Sequence, residues 1–142
     1  MNIALMSHDG KKELMVQFCI AYCGILAERN IIATNATGKL VSEATGLPIE
    51  LYMGSAQGGV QQIGARIAYN EIDLVMFFAD PYHPELFGPV NEIALLCANH
   101  NIPFASNVAT AEVLVQGLRR GDFAWRDIAN PKNKNGKKAA GR

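Results

Sequence analysis

Three groups of residues have the types and the spacing of an anion-binding or acid–base site. Ser7, His8 and Asp9 follow a short apolar run and are joined by Lys12, which gathers an imidazole, a carboxylate and an ammonium within a few residues. An imidazole can move a proton near neutral pH, a carboxylate can accept one, and a lysine holds an anion as a point charge. Thr34 and Thr37 supply two hydroxyls just ahead of Gly38. The stretch from Gly54 to Pro81 opens with Gly58 and Gly59, whose unshielded backbone N–H groups precede a helical run and suit an anion, and it closes on Asp80. A phosphate cradle joined to a catalytic acid is the chemistry these types imply. Each residue also has an ordinary structural use: His8 at a strand end, Thr34 and Thr37 as turn and cap residues, Asp80 before Pro81 as a turn initiator, and the glycines in tight helix–sheet packing.

The elements that must position these groups alternate along the chain. Asn2 to Met6 reads as a first strand, and Leu14, Phe18, Tyr22, Ile25 and Leu26 form the apolar stripe of a helix reaching Glu28 and closed by Asn30. Ile31 to Ala33 is a second strand, Thr34 to Gly38 a polar loop, and Lys39 to Thr45 a short helix stopped by Gly46 and Pro48. Ile49 to Met53 is a third strand, followed by the glycine loop, a helix from Val60 and a fourth strand, Leu74 to Phe78, whose apolar character suits burial on both faces. A helix from Pro89 to Asn99, a fifth strand from Ile102 to Ser106 and a helix from Ala111 to Arg120 capped by Thr110 complete the pattern. The alternation predicts an α/β fold, doubly wound about a five-stranded, mainly parallel sheet. The polar candidates all leave strands at their carboxyl ends, the edge at which such sheets bind ligands.

A chain of 142 residues that is 49% hydrophobic suits one domain, placed at residues 1–128. Residues 129–142 carry +5 with no acid and read as a basic tail, leaving −5 on the rest. With 13 basic and 13 acidic residues in balance, neither nucleic acid nor a membrane surface is expected as a partner. Met1 is followed by an apolar run and then His8 and Asp9, unlike a charged cleavable leader, and no apolar run approaches the ~20 residues that span a bilayer, so a soluble cytoplasmic protein is expected. Cys19 and Cys23 lack zinc-site spacing and read as small core residues. The apolar loop from Tyr82 to Phe87 is expected at a homo-oligomer interface or over the site.

Over about residues 2–116 the chain resembles the methylglyoxal synthase family. The likeness is carried by Ser7-His8-Asp9 with Lys12, Thr34-x-x-Thr37-Gly38, Gly58-Gly59-x-Gln61-Gln62-x-Gly64, Ile72-Asp73 running to Phe78 and Asp80-Pro81, and Asn101-Ile102-Pro103 leading to Asn107-Val108-Ala109-Thr110-Ala111. The resemblance implies a single Rossmann-like domain, a homohexamer, and conversion of dihydroxyacetone phosphate to methylglyoxal and inorganic phosphate with no metal or organic cofactor. It also implies an alternative, because the same fold serves as a regulatory ligand-binding domain in carbamoyl phosphate synthetase: a noncatalytic protein that binds phosphate or a phospho-metabolite. Carried over by position, His8 polarises the substrate oxygen, Lys12, Thr34, Thr37, Ser55, Gly58 and Gly59 hold phosphate, and Asp9 and Asp80 are the site carboxylates. The sequence departs from the family at the residue after Gly59, where the family's aspartate base is replaced by Val60. Ala36 replaces a threonine, and Gly54-Ser55 reverses the family's order. His83 and Glu85 offer a displaced histidine and carboxylate in the loop after Asp80, and Arg126 is a candidate for an arginine expected near the C-terminus.

Overall fold

The computed structural model describes residues 1–129. From residue 130 on, the basic tail lies outside the described residues. In chain order the elements are β1 (Asn2–Ser7), α1 (Lys12–Ala21), α2 (Cys23–Leu26), β2 (Asn30–Ala33), α3 (Asn35–Thr45), β3 (Ile49–Leu51), α4 (Gly59–Ala68), β4 (Leu74–Phe78), α5 (Phe87–Asn99), β5 (Phe104–Ala105), α6 (Val108–Arg120) and α7 (Trp125–Ala129). The five strands form one sheet in the order β3-β2-β1-β4-β5, with every neighbouring pair parallel.

Burial of the central strands on both faces explains their unbroken apolar sequences. Ile3 and Leu5 of β1 join Met15, Phe18, Val41, Val115 and Leu118 in one core, while Ala4 and Met6 join Ile63, Ile67, Val90 and Ile93 in the other. Thus α1, α3 and α6 cover one face of the sheet and α4 and α5 the opposite face. The chain steps outward from β1 to β2 to β3, then crosses to β4 and continues to β5, so its direction of winding changes between β1 and β4. The carboxyl end of that seam is where such folds open a crevice.

Several boundaries differ from the sequence reading. The first helix breaks at Tyr22 (φ −112°, ψ 23°), with Gly24, a poor helix former, just beyond, and Cys23 is only half-buried. Asn30 opens β2 and pairs with Asn2 rather than capping a helix. The expected polar loop from Thr34 to Gly38 is largely helix: Thr34 stands extended at the N-cap and Asn35 to Gly38 form the first turn of α3. Asn107 caps α6, its Oδ1 accepting the Thr110 N–H at 2.9 Å, so Thr110 lies inside the helix it was expected to cap. Asn70 and Asn101 adopt left-handed φ values of 58° and 53° after α4 and α5, a conformation asparagine tolerates better than most residues.

Arg126 belongs to the opposite edge of the sheet from the candidate site. Its guanidinium, 2% exposed, donates to Asp73 Oδ1 at 3.1 and 3.2 Å and to the Ile72 carbonyl at 3.0 Å, just before β4 begins. There it ties α7 to the base of the sheet and cannot be the site arginine.

Candidate active site

His8 is fixed across the seam between β1 and β4. Its backbone N–H continues the ladder to the Phe78 carbonyl at 3.0 Å, and its ring Nδ1 lies 2.9 Å from the Asp80 backbone nitrogen. A backbone N–H only donates, so Nδ1 is the unprotonated nitrogen and Nε2 carries the hydrogen. Phe77 and Phe87 meet the ring edge-on at 5.4 and 5.8 Å between centroids, fixing its plane. His8 therefore offers a ligand a neutral imidazole N–H donor.

A cavity of about 540 Å³ opens at this edge, and Ser7, His8, Asp9, Lys12, Thr34 and Thr37 line one side of it. Thr34 and Thr37 are 2% and 1% exposed. The Thr37 hydroxyl is 3.0 Å from that of Ser7, whereas the Thr34 hydroxyl makes no bond to the helix it precedes. The uncapped first turn of α3 thus leaves N–H groups and the positive end of a helix dipole for an anion. Lys12 forms an ion pair with Asp9. That hydrogen bond, and then the lysine charge, hold the Asp9 carboxyl below its ordinary pKa.

The glycine loop takes a different part from the one expected. Ser55 lines the cavity with Gly54 and Gln57, but Gly58 and Gly59 do not. Gly58 has φ +96°, and a Cβ on Gly59 would sit 1.8 Å from the Met53 carbonyl oxygen. These two glycines let the chain reverse beside β3 and start α4; they shape the wall without forming its surface. Val60, 3% exposed, lines the cavity at the head of α4, near Gln61.

Asp80 is at the carboxyl edge, but its carboxylate is not part of the cavity lining. Oδ1 accepts the Tyr82 N–H at 3.0 Å, and Oδ2 faces Gly10, where a Cβ would come within 2.5 Å. Asp80 positions His8 through its backbone instead. His83 bridges outward, its Nε2 3.8 Å from Asp80 Oδ2 and its Nδ1 3.1 Å from Glu85 Oε2. Glu85 lines the cavity, and its own backbone N–H and then His83 hold its carboxyl below the ordinary range. Among the described residues, Asp9 and Glu85 are therefore the two carboxylates on the lining of this space. Among the described residues no group of three or more His, Cys, Asp or Glu is placed to hold a metal ion.

Residues 15–106 match the family model for the MGS-like domain. The chain is 54% identical over 133 residues to the methylglyoxal synthase of Caldicellulosiruptor saccharolyticus, covering 93% of this chain and 94% of that one. The chain belongs to the methylglyoxal synthase family. A second member, from Geobacillus thermodenitrificans, is 45% identical over 137 residues, covering 96% of this chain and 95% of its own. The crystal structure of methylglyoxal synthase from Elizabethkingia anophelis NUHP1 matches with a TM-score of 0.76 at 38% identity, covering 80% of this chain and 76% of that one.

For a methylglyoxal synthase family member, the apolar wall is the part that sequence reasoning missed. Phe77 and Leu86 line the cavity beside Val60, yet each reads in sequence as an ordinary core or loop residue. Ser7, the last residue of β1, carried a better signal, since a small polar residue closing an apolar strand lies at the ligand edge.

Proposed function

We propose that this protein is a methylglyoxal synthase-type lyase that eliminates phosphate from dihydroxyacetone phosphate or a related phosphorylated ketone. The observation that carries the reading is the neutral His8 donor, with Nδ1 held by the Asp80 N–H, on the same cavity as Thr34, Thr37 and Lys12. The phosphate sits with the threonine hydroxyls, Ser55, Lys12 and the start of α3, where charge-assisted bonds favour a dianion. His8 Nε2–H donates to the ketone oxygen and stabilises the oxyanion as it develops. A carboxylate, Asp9 or Glu85, removes a proton from the hydroxymethyl carbon beside the carbonyl, and the electron pair forms the enediolate. That pair then expels phosphate by breaking its C–O bond while the hydroxyl gives up its proton to the leaving phosphate and becomes the aldehyde carbonyl, and the methylene of the resulting enol takes the first proton back to become the methyl group of methylglyoxal.

A second reading is favoured by one observation: Val60 packs in the core at the position where the resemblance expects the base. On that reading the cavity binds a phospho-metabolite and reports on it without turnover. Parallel assays of methylglyoxal and phosphate for the native chain, Val60→Asp, Asp9→Asn and Glu85→Gln separate the two. The lyase reading requires equal release of both products by the native chain and a loss of about 10² to 10⁴ in one of the two carboxylate variants. A native chain that binds the substrate without releasing phosphate, with turnover appearing only in Val60→Asp, supports the sensor.

The same reading places the protein in the cytoplasm as a homohexamer, with a small phosphorylated substrate and inorganic phosphate as ligands and no role for nucleic acid or membrane. No described helix is long and apolar enough to cross a membrane. Tyr82 and Leu86, 86% and 44% exposed, are apolar surface that an interface would cover. Light scattering that finds a monomer removes the assembly from the proposal.

A further inference from the structure

Resting on the reading that Ser55 and the start of α3 seat the phosphate, we propose that Gln62 is a positioning residue for that seat. Its carboxamide, off the cavity lining, holds the Met53 peptide from which the wall of Gly54, Ser55 and Gln57 begins. The ladder between β2 and β3 makes its last bond at Tyr52, whose N–H donates to the Ala33 carbonyl at 2.8 Å. One residue on, the chain has left the sheet, and Gln62 Oε1, from the start of α4, accepts the Met53 N–H at 2.9 Å. A backbone N–H only donates, so it is the oxygen of the carboxamide that faces Met53. Gln61, the neighbour of Gln62, differs in lining the cavity itself.

The other side of the same residue reaches the opposite wall. The Met53 carbonyl accepts the Asn35 N–H at 3.4 Å, in the first turn of α3 and next to Thr34. Gly59 lacks the side chain that would strike this carbonyl, so the head of α4 lies directly on it. Met53 is thereby fixed between α4 and α3, and the two residues that follow it, Gly54 and Ser55, line the cavity with Thr34 and Thr37. The Gly54 carbonyl in turn accepts the Gln57 and Gly59 N–H groups at 2.9 and 3.0 Å, which closes the wall into a turn whose placement depends on how Met53 is held. Gln62 itself is exposed, so water can replace its bond at little cost to the fold, whereas a displaced Ser55 loses its place beside the ligand.

Three variants test this. Gln62→Met and Gln62→Ala remove the acceptor with residues that suit a helix, and Gln62→Glu keeps it. Backbone amide exchange followed by NMR should show Met53 exchanging faster in the first two while Tyr52, bonded to Ala33, stays protected, and Gln62→Glu should restore Met53. Calorimetric titration with inorganic phosphate should find Gln62→Met and Gln62→Ala weakened by about threefold to tenfold, the equilibrium worth of one hydrogen bond. The KM for dihydroxyacetone phosphate should rise in step, with kcat changing less and the melting curves close to native. Gln62→Glu should bind phosphate within about twofold of the native protein, because an exposed charge is largely screened at physiological salt. Faster Met53 exchange with unchanged phosphate affinity and KM makes Gln62 a purely structural residue and overturns the proposal, as does Met53 exchange that does not respond to loss of the acceptor. If the native protein binds no phosphate, the reading of the seat fails and the proposal with it.

Discussion

The Asp80 backbone N–H donates to His8 Nδ1 at 2.9 Å, joining residues 72 apart in sequence across the seam between β1 and β4. The bond sets which nitrogen of His8 carries the hydrogen, and therefore which one can act on a ligand. His8→Ala is expected to lower kcat by about 10² to 10³, the usual cost of removing one oxyanion donor, with a smaller change in KM because the phosphate is held elsewhere. Steady-state kinetics check the split. A variant that loses KM alone would make His8 a binding residue only.

Asp9 supplies the pH prediction. Its folded-state pKa lies below the ordinary value of 3.8 because of Lys12, so the pair favours the folded state above that value and the contribution is lost as pH falls through the folded pKa. The Asp9 side chain is fully exposed, so its share of stability is small and the titration itself is the useful readout. Lys12→Met should move the Asp9 midpoint upward toward 3.8, followed by carboxylate carbon NMR. An unchanged midpoint would mean that the ion pair does not persist in solution.

Gly59 is the sharpest steric constraint beside the site, since a Cβ there would lie 1.8 Å from the Met53 carbonyl oxygen. Backbone must move to admit it, so Gly59→Ala should destabilise the fold by about 1–3 kcal/mol or more, read from the midpoint of a urea transition. Native-like stability in that variant would show that the loop yields easily.

The fold was legible because its signals are local and repeated. Apolar runs such as Leu74 to Phe78 mark strands buried on both faces, and the polar residues that follow them mark the ligand edge. The start of α3 was less legible, because Asn35 to Gly38 are small and polar and read equally well as a loop; the packing of Thr37, Gly38 and Val41 decides for helix. In the site, Thr34, Thr37, His8 and Lys12 could be chosen by type. The direction of the Asp80 carboxylate could not, since it depends on the missing side chain at Gly10 and on the turn to Tyr82. For the candidate Arg126, sequence shows a late arginine but not the edge of the sheet it reaches.

Arg126 and Asp73 are 2% and 0% exposed in their side chains, so removing one leaves the other charged and buried. Arg126→Met is expected to cost about 3–5 kcal/mol. Combining it with Asp73→Leu should recover part of that loss. Chemical denaturation of the three variants measures the coupling, and additive losses would show that the ion pair itself contributes little.

Turnover at this cavity is tested most directly by a ³¹P NMR time course of dihydroxyacetone phosphate with the native protein, with methylglyoxal assayed in the same tube. The monoester resonance is expected to give way to inorganic phosphate with methylglyoxal formed in equal amount, and His8→Ala to slow both together. A monoester signal that broadens or shifts with the protein but persists unchanged in area would contradict turnover of this substrate and leave the cavity as a binding site.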